Sequence, residues 1–168
     1  MIAQAKSLTF QNHLIFLKKI HESAKMPSQV EGDVGFDISC VDDFFAPAGS
    51  VAIVHTGLQF AEAIEPLILE NKVLCVPFMK IEGRSGLASN GIFPVGGIID
   101  PRYRGEIKVA LFNSTKEDRF FQSGDRVAQI VVYYTLSSVN AYSCVRFVES
   151  PTVQESTRGS AGFGSSGR

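Results

Sequence analysis

Short runs of β-branched and aromatic residues, separated by glycine and proline, limit what this chain can fold into. The clearest runs lie at residues 51–54, 72–78, 106–112 and 126–134. Val, Ile, Phe and Tyr suit the pleated, half-buried surface of a strand, and the run at 106–112 partly alternates between apolar and polar positions. Regularly spaced short strands of this kind predict an all-β sandwich or barrel rather than a fold of alternating strands and helices.

Turn signals separate the predicted strands. They lie at residues 47–49, 96–97, 101, 105 and 123–125, where Gly, Pro, Ser and Asp are concentrated. One helix is predicted within residues 61–71, because Glu, Ala and Leu are frequent there, although Pro66 interrupts it.

Length and charge exclude several classes of protein. A chain of 168 residues fits one domain with a real core. Its formal net charge of -1 at pH 7 does not indicate a basic surface for nucleic acid. No apolar run is long enough to span a bilayer, and residues 1–21 lack the pattern of a secretory signal. We therefore expect neither nucleic acid nor a membrane as a partner.

The cysteines and histidines are scattered and form no metal-binding pattern. Cys40, Cys75 and Cys144 are odd in number and suggest no disulfide framework. They predict core packing in a reducing intracellular compartment, the cytoplasm or, in a eukaryotic or viral source, also the nucleus. The histidines, at positions 13, 21 and 55, are isolated, and such residues are more often structural than catalytic.

Residues 83–88 could bind an anion. Arg84 can fork onto phosphate oxygens, Ser85 can donate a hydrogen bond, and Gly86 lets backbone N–H groups approach a ligand. An ordinary turn with one exposed arginine is the plain alternative.

Residues 96–105 and 120–129 each place a polar residue among apolar ones. Asp100 ends an apolar, glycine-rich strand, and Tyr103 supplies a flat wall nearby. Gln129 is the polar member of an apolar strand, and a buried amide usually has a specific partner. A turn-forming role for Asp100 and an inter-strand or subunit hydrogen bond for Gln129 are the alternatives.

The segment 32–39 brings acidic residues together, and the C-terminus is rich in glycine and serine. Asp37 and Ser39 would share one face of a strand, while Asp33 and Asp37 form only a weak metal signal.

Residues 159–168 contain Phe163 among Gly and Ser, with Arg158 just before. Such a segment suits either a bland disordered tail or a lid that stacks on a planar ligand and pairs with a phosphate.

Taken in order, these segments resemble the five motifs of the trimeric dUTPases. The matching segments are residues 34–37, 84–88, 97–105, 124–129 and 158–167, and residues 17–27 resemble the family's opening strand and turn. The resemblance implies a jelly-roll-like β fold and a homotrimer with shared active sites. Motifs one, two and four would come largely from one subunit, the third from a second, and the tail from the third. The implied domains are an extension at 1–13, a β-rich domain at 14–150 and a flexible arm at 151–168.

The resemblance also implies a reaction. Water would attack the α-phosphorus of dUTP in line, giving dUMP and pyrophosphate, which keeps uracil out of DNA and supplies dUMP for thymidylate synthesis. Mg²⁺ is the implied cofactor, held mainly by the triphosphate, with Asp37 holding one of its waters.

Roles carry over from the family by position. Asp100 and Gln129 would be catalytic, with Asp100 activating the water and contacting the 3′-hydroxyl. Backbone at Gly97, Ile98 and Ile99 would read uracil, and Tyr103 would pack on the deoxyribose and exclude a 2′-hydroxyl. The remaining implied substrate contacts, to the phosphates and through the arm, are Arg84, Ser85, Gly86, Lys108, Arg158, Phe163, Gly164, Ser165 and Ser166.

The sequence departs from the family's pattern in places. Val34 replaces a small residue, Gly83 replaces a proline, and Arg102 stands where an acid is common. The stretch between Arg84 and Asp100 is about one residue short, and residues 59–84 are roughly ten residues longer than usual, an insertion that costs little free energy.

Two other functions compete with this one. A dCTP deaminase would share the fold, but it would need a glutamate where Ala110 stands. A nucleotide-binding regulatory protein could keep the fold without turnover, although the intact Asp100, Gln129, Arg158 and Phe163 argue against lost catalysis.

Overall fold

The computed structural model describes residues 14–68, 74–137 and 148–149. Eleven strands and one short helix are described in these segments. In chain order the elements are β1 (Leu17–Lys19), β2 (Phe36–Ser39), β3 (Phe44–Ala46), β4 (Val51–Phe60), β5 (Leu67–Ile68), β6 (Leu74–Glu82), α1 (Ser85–Ala88), β7 (Ile92–Pro94), β8 (Ile98–Ile99), β9 (Glu106–Asn113), β10 (Arg119–Phe121) and β11 (Arg126–Ser137).

The strands form three antiparallel sheets. One sheet has the order β1-β4-β9-β7, and a second has the order β2-β11-β6-β5, with β8 also pairing with β6. A two-stranded ribbon joins β10 to β3. The all-β prediction is confirmed, because nearly every described element is a strand and every pairing between strands is antiparallel.

Each of the four apolar runs in the sequence lies on one of the longer strands. These strands are β4, β6, β9 and β11; residues 72–73 of the second run lie outside the described residues. Strand β9 buries Ile107, Val109 and Leu111 on one face and turns Lys108 outward, as its partial alternation predicts. The turn signals are confirmed as well, since Gly49, Gly96, Gly97 and Gly124 all have positive φ.

Both large sheets contribute to one apolar core. Ile38 on β2, Leu58 on β4 and Val109 on β9 are fully buried, and Val127 on β11 joins the same cluster. Full burial of such a side chain stabilises the fold by about 1.5–3 kcal/mol relative to exposure. Cys40 and Cys75 are buried and form no disulfide with each other, in line with the packing role expected of them, while Cys144 lies outside the described residues.

The helix predicted at residues 61–71 is wrong for the part that is described. Residues 61–62 form a bend, residues 63–66 have no regular secondary structure, and Leu67–Ile68 pair with β6 as strand β5. Ile64 is buried, and its N–H donates to the carbonyl of Pro101 at 3.2 Å. Tertiary contacts and Pro66 therefore outweigh the helix propensity of the Glu and Ala residues.

The proposed extension at 1–13 and the arm at 151–168 lie outside the described residues. None of the helices among the described residues is long and apolar enough to cross a membrane.

Candidate active site

Three strands bring the first, second and fourth motifs together. In the register of β2, β11 and β6, Asp37 lies opposite Gln129, and Gln129 lies opposite Glu82. Directly paired residues in a sheet project from the same face, so these three polar side chains form one row. Strand β6 ends at Glu82, and the chain continues at once into Gly83, Arg84 and helix α1.

Asp37 holds two arginines at the end of this row. Its Oδ1 accepts a hydrogen bond from Nε of Arg84 at 2.8 Å, and its Oδ2 accepts one from a terminal nitrogen of Arg126 at 2.9 Å. Arg84 also donates to the carbonyl of Arg126 at 3.3 Å. The carboxylate therefore fixes the plane of the Arg84 guanidinium, and the pair of arginines leaves this corner positively charged.

Gln129 is held in a tight space. Its Nε2 donates to the carbonyl of Gly83 at 2.9 Å. A Cβ added at Gly35 would lie 1.9 Å from the Gln129 side-chain oxygen, so a larger residue there would displace the amide from its present position. The amide accordingly lies against motif one and joins it to the start of motif two.

Helix α1 places Ser85 and Gly86 next to Arg84. Arg84 is its N-cap, with extended backbone angles, and its carbonyl accepts from the N–H groups of Leu87 and Ala88. The N–H groups at the start of a helical turn have no acceptor within the turn, so those of Ser85 and Gly86 face outward. A Cβ at Gly86 would meet nothing within 4 Å, and a ligand can therefore approach this backbone closely.

A small cavity of about 290 Å³ lies where β6, β8 and β9 meet. Six of the predicted site residues line it, together with Ile81, Glu106 and Ile107. The six are Gly97, Ile98, Ile99, Asp100, Tyr103 and Lys108. Gly97 has φ of +105°, and a Cβ there would lie 3.0 Å from atoms of Ile81, so the cavity wall requires glycine at this position.

The loop after β8 orients Asp100 and Tyr103. The N–H of Tyr103 donates to the carbonyl of Asp100 at 3.0 Å, which closes a turn through Pro101. The Tyr103 hydroxyl donates to the carbonyl of Glu106 at 3.0 Å. Gly105 makes room for the ring, because a Cβ there would lie 2.3 Å from the hydroxyl oxygen. Asp100 itself is exposed to solvent at the mouth of the cavity.

Glu106 links the cavity to the neighbouring strand β4. Its carboxylate accepts a hydrogen bond from the N–H of Gly57 at 2.9 Å, contacts Nδ1 of His55 at 2.7 Å and lies 3.8 Å from Nζ of Lys108. Burial favours a higher pKa for Glu106, but the hydrogen bonds from Gly57 and His55 outweigh it and lower the pKa below its usual value. The side chain is therefore an anion at neutral pH.

The predicted residues form two groups within one chain. Asp100, Tyr103 and the uracil-reading backbone line the cavity, whereas Asp37, Arg84 and Gln129 lie in the row on β2, β11 and β6, and none of the latter lines the cavity. Residues Arg158, Phe163, Gly164, Ser165 and Ser166 lie outside the described residues.

Sequence reasoning missed Arg126, Glu106 and His55. Arg126 follows the Gly-Asp turn of motif four. Glu106 and Lys108 are two positions apart on β9, so their side chains project from the same, outward-facing side of the strand. The two-residue alternation of a strand could therefore have identified Glu106 as a neighbour of Lys108. The contact of Glu106 with His55 depends on the register between β4 and β9, which no local pattern specifies.

The residues near Asp37 do not form a direct magnesium site. Among the described residues no three His, Cys, Asp or Glu side chains cluster to hold a metal. Both oxygens of Asp37 accept hydrogen bonds from arginine, which competes with direct coordination of a cation. The role of Asp37 toward a water of the magnesium shell stays a prediction.

A second cavity, of about 460 Å³, lies between the sheets and contains none of the predicted site residues. Its walls are mostly apolar and come from β1, β2, β6, β11 and the loop at Met26 and Pro27. It lacks the carboxylates, arginines and amides that nucleotide chemistry requires.

The fold and the site define an all-β protein that has two arginines bonded to Asp37 on one sheet and a small polar cavity lined by β6, β8 and β9. The chain belongs to the dUTPase family, whose family model, described as dUTPase, matches residues 21–167.

Similar proteins of known name agree with this family. The chain is 35% identical over 155 residues to the deoxyuridine 5′-triphosphate nucleotidohydrolase of Paramecium bursaria Chlorella virus 1, covering 91% of this chain and 97% of that protein. It is 38% identical over 160 residues to the same enzyme of Wolinella succinogenes, covering 92% and 94%.

Solved structures share the fold. A mutant dUTPase of Staphylococcus bacteriophage 80alpha with dUpNHpp has a TM-score of 0.66 at 20% identity, covering 94% of this chain and 100% of that one. Native EIAV dUTPase has a TM-score of 0.57 at 22% identity, covering 83% and 100%. These likenesses support the jelly-roll-type β architecture.

Proposed function

We propose that this chain is a dUTP diphosphatase, which hydrolyses dUTP to dUMP and pyrophosphate. The observation that carries the proposal is the cavity of about 290 Å³, which gathers Asp100, Tyr103 and the backbone of Gly97, Ile98 and Ile99. A cavity of this size suits a nucleoside rather than a whole triphosphate. The triphosphate would extend toward Arg84 and the N–H groups at the start of α1.

In this proposal each group has a distinct role. Backbone N–H and C=O groups at residues 97–99 read the N3–H and O4 of uracil, and the close wall rejects the thymine methyl. Tyr103 packs on the deoxyribose. Asp100 orients the attacking water and accepts its proton, and general-base help of this kind supplies about 10²–10⁴ in rate.

The phosphates would be held by the arginine corner. Asp37 keeps the Arg84 guanidinium in one plane through the 2.8 Å hydrogen bond, so Arg84 is oriented before substrate arrives. Gln129 would hold the phosphate region or the water. Mg²⁺ remains a proposed cofactor, bound chiefly by the triphosphate rather than by this chain.

The active enzyme is proposed to be a homotrimer with shared active sites. The cavity and the arginine corner are separate within one chain, so a site built across subunits would join the cavity of one protomer to the arginine corner of another. The arm at 151–168 is proposed to cover the site, with Phe163 on uracil and Arg158, Ser165 and Ser166 on the γ-phosphate.

Ala110 argues against the deaminase alternative. It lies on β9 opposite Ile53 of β4, and its side chain has no proton to transfer. A regulatory protein without turnover is the second candidate, and the same assay distinguishes it from an enzyme.

The decisive experiment measures pyrophosphate release from dUTP, dCTP, dTTP and UTP in the presence of Mg²⁺. We expect release from dUTP alone. Asp100→Asn should reduce kcat at least about 100-fold while still binding dUTP, because the amide cannot accept the proton of the attacking water. Release of ammonia from dCTP would instead indicate a deaminase. Binding of dUTP without any pyrophosphate would support the regulatory candidate.

A further inference from the structure

The pairing between β4 and β9 is interrupted beside the cavity. His55 pairs with Lys108 and Gln59 with Glu106, so three residues of β4 lie between these pairs where β9 has only Ile107. Thr56, Gly57 and Leu58 lie opposite this single residue and form a bulge with two extra positions. A bulge leaves backbone groups without their usual ladder partners, and side chains have to take their place.

Two side chains supply the missing partners. The Thr56 hydroxyl donates to the carbonyl of Ile107 and accepts from the N–H of Leu58. The Glu106 carboxylate accepts from the N–H of Gly57 and also contacts His55. Glu106 is the first residue of β9, so its carboxylate attaches the start of β9 to β4 at the place where the regular ladder fails.

Glu106 also lines the cavity and contacts two of its other residues. The carbonyl of Glu106 accepts the Tyr103 hydroxyl, and its carboxylate lies 3.8 Å from Nζ of Lys108. Gln59, on the far side of the bulge, also donates to the carbonyl of Arg104 in the loop that carries Tyr103. A shift of Glu106 would therefore move the tyrosine ring and release the lysine.

We infer that Glu106 is a positioning residue of the nucleoside pocket, which holds Tyr103 and Lys108 in place by anchoring the start of β9 to the bulge of β4. This inference rests on the proposed function and adds to it a determinant of sugar selectivity. Tyr103 excludes a 2′-hydroxyl only if its ring is held in place. The ring's hydroxyl donates to the backbone carbonyl of Glu106, and the Glu106 carboxylate holds that residue against the bulge of β4.

The test compares the purified full-length protein with Glu106→Ala, Glu106→Gln and Asp118→Ala. Asp118 is the matched control, because its carboxylate accepts a backbone N–H, that of Ala48 at 2.8 Å, and it lines neither the cavity nor the arginine corner. The readouts are kcat and KM for dUTP and for UTP, with pyrophosphate release as the signal.

Glu106→Ala should lower the preference for dUTP over UTP in kcat/KM about 5- to 100-fold, the range expected when a buried N–H loses its acceptor. Its effect on dUTP should lie mainly in KM. Glu106→Gln, whose amide oxygen still accepts from Gly57, should regain most of the preference. Asp118→Ala should leave the preference unchanged.

An unchanged preference in Glu106→Ala, or an equal change in Asp118→Ala, would overturn the inference. If Glu106→Ala does not fold, a cycle of Glu106→Leu, Tyr103→Phe and the double variant tests it, because leucine removes the acceptor for the Gly57 N–H but keeps most of the side-chain volume. Non-additive effects on the dUTP preference are expected, and additive effects would overturn it. Absence of dUTP hydrolysis by the unmodified chain would refute the proposed function instead.

Discussion

Gly35 and Gln129 show how single residues define the anion side of the site. The Gln129 amide reaches the carbonyl of Gly83 because position 35 has no side chain. The adjacent Val34 departs from the family's small residue, yet it is exposed and does not press on the amide. The functional constraint therefore lies on Gly35 rather than on Val34.

Gly35→Ala is expected to reduce turnover of dUTP about 10-fold or more. The new methyl group would lie 1.9 Å from the Gln129 oxygen, so the amide has to leave its place and lose its bond to Gly83. A misplaced catalytic group can cost about 100-fold in rate. The measurement is kcat for dUTP, with Val34→Ala as the control that should retain it. Normal turnover in Gly35→Ala would mean that the position of Gln129 does not matter for the chemistry.

The bulge of β4 is the element that joins the sheet to the nucleoside pocket. Gly57 has φ of +65°, and a Cβ there would lie 2.7 Å from His21, 2.9 Å from Ala24 and 2.9 Å from Val41. Its N–H and carbonyl are both used, by Glu106 and by the N–H of Ile20. The bulge thus requires glycine for two independent reasons, its backbone angle and the lack of space.

Gly57→Ala should lower the free energy of unfolding by about 2–4 kcal/mol, from the positive φ and from overpacking. Gly49→Ala separates the two causes, because Gly49 has the same φ of +65° and nothing within 4 Å of its Cβ position. Denaturant unfolding at equal protein concentration measures both. We expect a loss of only about 1–2 kcal/mol for Gly49→Ala. Equal losses in the two variants would show that crowding at the bulge contributes nothing.

At the scale of the whole molecule, the outer face of the β4-β9-β7 sheet exposes an apolar strip. Val51, Ile53, Phe93 and Val95 are exposed on it, and Phe93 packs edge-on against Phe112. The strip continues directly into His55 and Lys108, at the margin of the cavity. We propose that a second copy of the chain packs on this strip, where it would also border the cavity.

Ile53→Lys is expected to dissociate the proposed homotrimer. Ile53 is 58% exposed in the single chain, so the substitution should barely affect the fold, but a lysine buried between subunits would carry an uncompensated charge. Light scattering of the purified protein gives the mass of the assembly. Val30→Lys is the control, because Val30 is 66% exposed and lies in a loop away from the strip. A trimer that persists in Ile53→Lys would exclude this face as the subunit interface.

Much of the fold and part of the site could be predicted from local sequence patterns. The four long strands follow from β-branched composition and alternation, and the turns follow from glycines that adopt positive φ. Six residues of the cavity, between Gly97 and Lys108, could be named from the resemblance of this stretch to a family motif, whereas Glu106 in the same stretch and Ile81 outside it could not. The helix expected at 61–71 could not be corrected locally, since the burial of Ile64 and the pairing of Leu67 with Cys75 arise from distant residues.

The sequence by itself determined the all-β class, the positions of the long strands and the family motifs, because each depends on residues within a few positions of one another. Only the tertiary structure decided which side chains meet. Asp37 accepts hydrogen bonds from Arg84 and Arg126 across 47 and 89 positions of chain, and Glu106 reaches His55 across 51. Such contacts depend on strand order and register, which are set by the packing of the whole core and not by any local pattern.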